Sequence, residues 1–180
     1  MVSIRLWLFR ALVFSAAAVM LISAIIPWWT AKVEILANAP TGISYFEVSL
    51  YQHGIPDNFA REYFRHDITP LSQITLAWIY MGVSIVTILL SAFLKGKIGR
   101  WLLGITGLAY IIYAVVCIFM MTSRLSIYQI PLQGEVFVEG SAIKQTSFQV
   151  GYYLAYIAGL TCLFLALFRN RIIGKIKFNN

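Results

Sequence analysis

Residues 71–123 read LSQITLAWIYMGVSIVTILLSAFLKGKIGRWLLGITGLAYIIYAVVCIFMMTS. Two uncharged apolar runs, 71–94 and 101–123, flank a short basic segment that contains Lys95, Lys97 and Arg100. A helix needs about 20 apolar residues to cross a hydrocarbon core, and each run is long enough to do so. The stretch therefore predicts two membrane-spanning helices joined by a short turn.

Two further uncharged stretches, 11–31 and 145–168, extend the same pattern to the rest of the chain. We therefore expect four spans within a single membrane domain of residues 1–180, with outer loops at 30–70 and 123–148. The predicted spans cover, approximately, 8–29, 71–94, 101–122 and 149–168.

The charged residues predict the orientation of these spans. All seven acidic residues lie within 34–67 and 135–139. Nine of the fourteen cations lie on the other side of the predicted spans: Arg5, Arg10, Lys95, Lys97, Arg100, Arg169, Arg171, Lys175 and Lys177. The positive-inside bias makes that side cytoplasmic, so we expect a multi-pass protein of the cell membrane with both termini in the cytoplasm. Topology accounts for the net charge of +7, and nucleic acid is not among the expected partners.

The two outer loops have the alternation of β-strands. Residues 32–37 and 43–51 alternate between apolar and polar side chains and flank a turn-like Asn38–Gly42 segment, and residues 135–139 alternate after Gln133-Gly134. An isolated hairpin is marginal in water, so the two loops are expected to share one antiparallel sheet of three to four strands. Residues 57–66 predict a short amphipathic helix before the second span. The predicted fold is an all-α membrane four-helix bundle capped by a small extracytoplasmic antiparallel β-sheet.

This order of elements resembles the claudin-like tetraspan membrane proteins. The shared features are internal termini, a long first outer loop that begins as a strand hairpin, a short outer helix before span 2 and a strand in the second outer loop. Trp28 or Trp29 corresponds to the first Trp of the family's signature, whereas its Gly-Leu-Trp motif and its pair of outer cysteines have no counterpart here. The resemblance implies a non-catalytic protein that works through lateral and outer-face contacts.

A candidate metal site lies in the first outer loop. His53, Asp57, Glu62 and His66 supply two imidazoles and two carboxylates, a donor set that suits zinc or copper. Glu62 and His66 would share one face of a helix, whereas Gly54 and Pro56 interrupt the segment between His53 and Asp57. A solvated surface, with Arg61 and Arg65 paired to these carboxylates, is the alternative. No other cofactor is expected.

Two sets of residues in or near the spans have structural interpretations. Gly151, Ala155 and Gly159 recur every fourth residue and form a small-residue stripe, which predicts close helix packing within the chain or a docking face for a partner subunit. Four tryptophans stand near the predicted span ends, where we expect them to act as membrane-interface anchors: Trp7, Trp28, Trp29 and Trp101.

The spans contain little that could carry chemistry. None of the four uncharged stretches holds an Asp, Glu, Lys, Arg or His, and such residues mark ion and proton paths in membrane proteins. The sequence thus favours a non-enzymatic protein, an accessory or structural subunit of a larger membrane complex whose partners are other membrane subunits and lipids. Two alternatives stay open: a claudin-like organiser or adhesion protein that associates with copies of itself, and a metal-binding component of a membrane oxidase.

Overall fold

A computed structural model of the chain describes residues 4–35, 45–50, 71–94, 96–126, 130–138 and 142–173. Its contacts form two compact units. The helical unit draws on Met1–Ile22, Ile79–Ala114 and Leu154–Asn180, and the sheet unit draws on Ser23–Trp78 and Val115–Tyr153.

The described residues form four long helices. They are α1 (Ile4–Ile25), α2 (Leu71–Phe93), α3 (Gly96–Leu125) and α4 (Val150–Ile173). The shortest has 22 residues, which at 1.5 Å per residue gives about 33 Å, and all four are long and apolar enough to cross a membrane. The prediction of four long apolar helices is confirmed.

At its C-terminal end, α1 is shorter than predicted. The helix ends at Ile25, four residues before the expected boundary, and a strand already begins at Trp29. Pro27 disfavours helical geometry in the residue before it. The indole N–H of Trp28 then donates to the carbonyl of Ser23 at 2.8 Å and satisfies one of the carbonyls that a helix end leaves free.

The other helices extend beyond their apolar cores. Helix α3 begins five residues earlier than expected, and α4 continues through Arg169 and Arg171 to Ile173. Helical hydrogen bonding does not require apolar side chains, so a hydropathy window marks the apolar part of a helix and not its ends.

The four described strands form one antiparallel sheet. They are β1 (Trp29–Ile35), β2 (Tyr45–Leu50), β3 (Gly134–Val138) and β4 (Ala142–Phe148), and their order across the sheet is β2-β1-β4-β3. Residues before α2 contribute β1 and β2, and residues between α3 and α4 contribute β3 and β4. The predicted sheet built from both loops is therefore confirmed, and the strand at Ala142–Phe148 is one that the alternation did not predict.

One face of the sheet packs on a hydrophobic core inside the sheet unit. Trp29 and Ala31 of β1 contact Met121 and Leu125 of α3, and Leu50, Ile130, Leu132 and Phe148 complete the cluster. Trp29 is 2% exposed, and its indole N–H donates to the carbonyl of Leu132 at 2.8 Å. A buried Trp with its polar atom satisfied is among the largest single contributions to such a core.

In the helical unit, α3 and α4 approach each other at two glycines. A Cβ added at Gly107 would lie 2.8 Å from both the Cβ of Cys162 and the carbonyl oxygen of Gly159. Only glycine allows so close an approach of two helix backbones, as in other small-residue crossings. Tyr80 of α2 stacks on Tyr110 and Tyr113 of α3, with ring centroids 4.7 to 6.4 Å apart.

Candidate functional site

The face of the sheet opposite the hydrophobic core is polar. Residues directly opposite each other in an antiparallel pair point to the same face. In the strand register, Lys32 of β1 lies opposite Glu47 of β2 on one side and opposite Gln145 of β4 on the other. Gln145 in turn lies opposite Glu135 of β3. These four side chains form a row across all four strands.

A second row is held by hydrogen bonds from one glutamine. Thr30 of β1 is paired with Ser49 of β2 and with Ser147 of β4. The amide nitrogen of Gln149 donates to the hydroxyl oxygens of Thr30 and Ser147, each at 2.8 Å. Both amide hydrogens of Gln149 are thus used, and the two hydrogen bonds hold the hydroxyl groups in place.

Residues of the two rows line an open depression of about 590 Å³. Its charged groups are Lys32, Glu47 and Glu135, all exposed to solvent. Ion pairs between solvent-exposed groups contribute about 0–1 kcal/mol to stability. The arrangement of these three charged groups therefore affects recognition more than folding. The residues around the depression whose side chains do not point into the core are Thr30, Lys32, Glu47, Gln133, Gly134, Glu135, Gln145, Ser147 and Gln149. We call this surface the polar face.

Sequence reasoning did not identify the polar face as a site. Gln145, Ser147 and Gln149 stand at every second position, a period of two that places side chains on one face of a strand. That signal was available, but the intervening Thr146 is polar as well and concealed the alternation. Thr146 lies on the buried side, 3% exposed, where its hydroxyl donates to the carbonyl of Pro131 at 2.9 Å.

The residues proposed as metal ligands lie outside the part of the chain that the structure describes. This applies to His53, Asp57, Glu62 and His66, and also to the predicted amphipathic helix at 57–66. Among the described residues, no group of three or more His, Cys, Asp or Glu side chains comes together. The metal site stays a prediction.

The small-residue stripe of α4 is buried within the chain. In the sheet unit, a Cβ at Gly151 would lie 2.5 Å from the carbonyl oxygen of Ile26 and 2.6 Å from that of Pro27, and the Gly151 N–H donates to the Pro27 carbonyl at 3.2 Å. In the helical unit, Ala155 is fully buried, and Gly159 faces Ile111 and Gly107. Gly151 and Gly159 thus contact other parts of the chain, and the docking face for a partner subunit stays a prediction.

The four tryptophans fall into two groups. Trp7 and Trp101 are 65% and 61% exposed, as an anchor at a membrane interface would be. Trp28 and Trp29 are 5% and 2% exposed and hydrogen-bond inside the sheet unit. Packing and hydrogen bonds inside the protein account for the burial of Trp28 and Trp29. The role of membrane-interface anchor stays a prediction for all four tryptophans.

Comparison of the chain with models of known protein families and with curated proteins finds no match. The function must therefore be inferred from the surfaces that the structure presents.

Proposed function

We propose that this chain is a non-catalytic integral membrane protein that acts as an accessory or structural subunit of a larger membrane complex. In this proposal α1 to α4 span the bilayer, both termini are cytoplasmic, and the polar face contacts an outer segment of the partner. The observation that supports the proposal is the polar face itself, an open hydrogen-bonding surface on a chain whose four helices are long and apolar enough to cross a membrane.

The chemistry of the polar face favours contact with another protein. Its lining combines hydroxyl, amide and ionised groups with donors and acceptors side by side, which is the composition of the polar rim of a protein–protein interface. Small-molecule sites are more enclosed and more apolar than this open depression. A lateral partner that lies beside the chain is the simplest occupant.

The size of the polar face indicates that the partner also contacts the helices. With strands about 4.8 Å apart and a rise of about 3.4 Å per residue, a four-stranded face of this length covers roughly 400 Å². A stable interface needs about 800 Å² from each partner. The remaining area would come from apolar side chains on the helical segments of the sheet unit, of which Leu76 and Phe119 are more than 60% exposed.

A self-associating, claudin-like organiser is the second candidate, and the sheet order supports it. β2 and β3 are the outermost strands of the described sheet, so each has one edge that pairs with no described strand. Exposed strand edges are natural sites for pairing with another chain, including a second copy.

Site-specific photo-crosslinking distinguishes these candidates. Benzoylphenylalanine in place of Gln145, irradiated in native membranes, is expected to give a discrete adduct with a second, different membrane polypeptide. The control places the same group at Ser126, which is also exposed in the sheet unit but does not line the polar face. Adducts at multiples of 20.3 kDa would favour the organiser, and equal adducts from both positions would contradict a role for the polar face.

A further inference from the structure

Arg169 is buried where α2 ends and α3 begins, within the helical unit. It is 5% exposed, and its Nη2 donates to the carbonyl oxygen of Leu94, directly after the end of α2. Its guanidinium carbon lies 5.2 Å from the centroid of the Phe9 ring. A cation at this position complements the partial negative charge at the C-terminal end of α2.

The same guanidinium lies against the first turn of α3. A Cβ at Gly99 would collide with Nη1 of Arg169 and would lie 2.7 Å from the carbonyl oxygen of Leu94. The absence of a side chain at Gly99 therefore makes room for Arg169. The first backbone N–H groups of a helix have no acceptor within the helix, and in α3 these include Gly96, Lys97 and Ile98.

Two buried guanidinium donors near this turn have no acceptor among the described residues. They are Nη1 of Arg169 and Nε of Arg10. Arg10 lies over the ring of Phe93, with 5.1 Å between the guanidinium carbon and the ring centroid, next to the Leu94 that Arg169 contacts. Buried donors are almost always paired in folded proteins, so these two donors favour the binding of an acceptor.

The chain itself has no carboxylate side chain to supply that acceptor from the segments of the helical unit. No Asp or Glu occurs in residues 1–22, 79–114 or 154–180. Two more cations, Lys97 and Arg100, lie in the first turn of α3. These segments therefore supply no carboxylate side chain for the two donors, and an anion from outside the chain fits the positive charge of the site.

We infer that the first turn of α3, together with Arg169, Lys97 and Arg100, binds a phosphate group. Free N–H groups at a helix N-terminus and the partial positive charge there favour a phosphate, and a guanidinium adds charge-assisted hydrogen bonds to its oxygens. The phosphate belongs either to an anionic lipid headgroup or to a free phosphate ion. The phosphate site does not depend on the proposed function as a subunit. Only a lipid headgroup as the source of the phosphate requires that the helices lie in a membrane.

The test measures thermal unfolding of the purified full-length chain in a neutral detergent. The probes are inorganic phosphate, compared with chloride at equal ionic strength, and phosphatidylglycerol, compared with phosphatidylcholine at equal mole fraction. We expect one of the anionic probes to raise the midpoint in a saturable way. A response to phosphatidylglycerol alone assigns the site to a lipid, a response to inorganic phosphate assigns it to the free ion, and no response to either overturns the proposal.

Variants separate the site from general attraction between charges. The double variant K97Q/R100Q is expected to weaken binding of the effective probe by about tenfold or more, and R169K is expected to weaken it while keeping the positive charge. The matched control is R5Q/R171Q, which also removes two charges, both from exposed residues of the helices. Equal losses of probe binding in the two double variants would overturn the proposed site. This comparison does not require that R169K folds.

Discussion

Two adjacent tryptophans show how a single residue position connects sequence to fold. Trp28 bonds back to the end of α1, and Trp29 inserts into the core beneath the sheet. Their place at the end of an apolar run is equally typical of an interface anchor, so the sequence could not distinguish burial from anchoring. What decides their environment is the strand that begins at Trp29, and its pairing with β4 depends on residues more than a hundred positions away.

Trp29→Phe is expected to lower the free energy of unfolding by about 2 kcal/mol. The change removes the indole N–H that satisfies the Leu132 carbonyl, and it leaves a smaller ring in a packed core. The measurement is reversible unfolding in mixed micelles, with Trp7→Phe as the control. Because Trp7 is 65% exposed, its change should stay within about 0.5 kcal/mol. Equal losses in both variants would show that Trp29 does not support the sheet as described.

The contact between Arg169 and the Leu94 carbonyl is a second feature at the scale of single residues, and the sequence pattern did not predict it. By sequence, Arg169 is one of several cations after the last apolar stretch and serves as a topology determinant. The structure distinguishes it from Arg171, two residues later, which is exposed. The difference arises because Gly99 leaves space for one guanidinium beside the turn between α2 and α3, and no local sequence pattern reports a contact 70 residues away.

At the scale of elements, the apolar runs and the alternating strands predicted most of the fold. The four helices follow from long, uncharged apolar runs, and β1 to β3 follow from alternation. β4 was missed because Ala142–Phe148 contains four polar residues in succession, Lys144 to Ser147. The sheet order explains two of them, since Gln145 and Ser147 lie in the middle of the polar face.

The crossing of α3 and α4 leads to a prediction at this scale. Gly107→Ala is expected to destabilise the protein by about 1–3 kcal/mol, because the new methyl group would overlap Cys162 and the Gly159 carbonyl. Thermal unfolding in detergent measures the effect. The matched control is Gly82→Ala in α2, where an added Cβ meets nothing within 4 Å. The control should be neutral or stabilising by up to about 1 kcal/mol, since Ala favours a helix over Gly. A similar loss at both positions would contradict the crossing.

For the whole molecule, the charge distribution is the main basis for orientation and for the proposed role. All acidic residues fall within 34–67 and 135–139, while the segments of the helical unit hold cations without any carboxylate side chain. The orientation in a membrane rests on the positive-inside bias and stays a prediction. The choice between a subunit of a larger complex and a self-associating organiser also stays a prediction. Sequence reasoning cannot make that choice, because polar surfaces and strand edges serve unlike and like partners equally well.

The most direct test of the proposed function is the mass and composition of the particle that contains this chain. The particle is extracted from native membranes in a mild detergent and analysed by native mass spectrometry with peptide identification. We expect the 20.3 kDa chain to be found with larger membrane subunits in a fixed ratio. A particle made only of 20.3 kDa chains, alone or repeated, would contradict the subunit role, and repeated copies would favour the self-associating organiser.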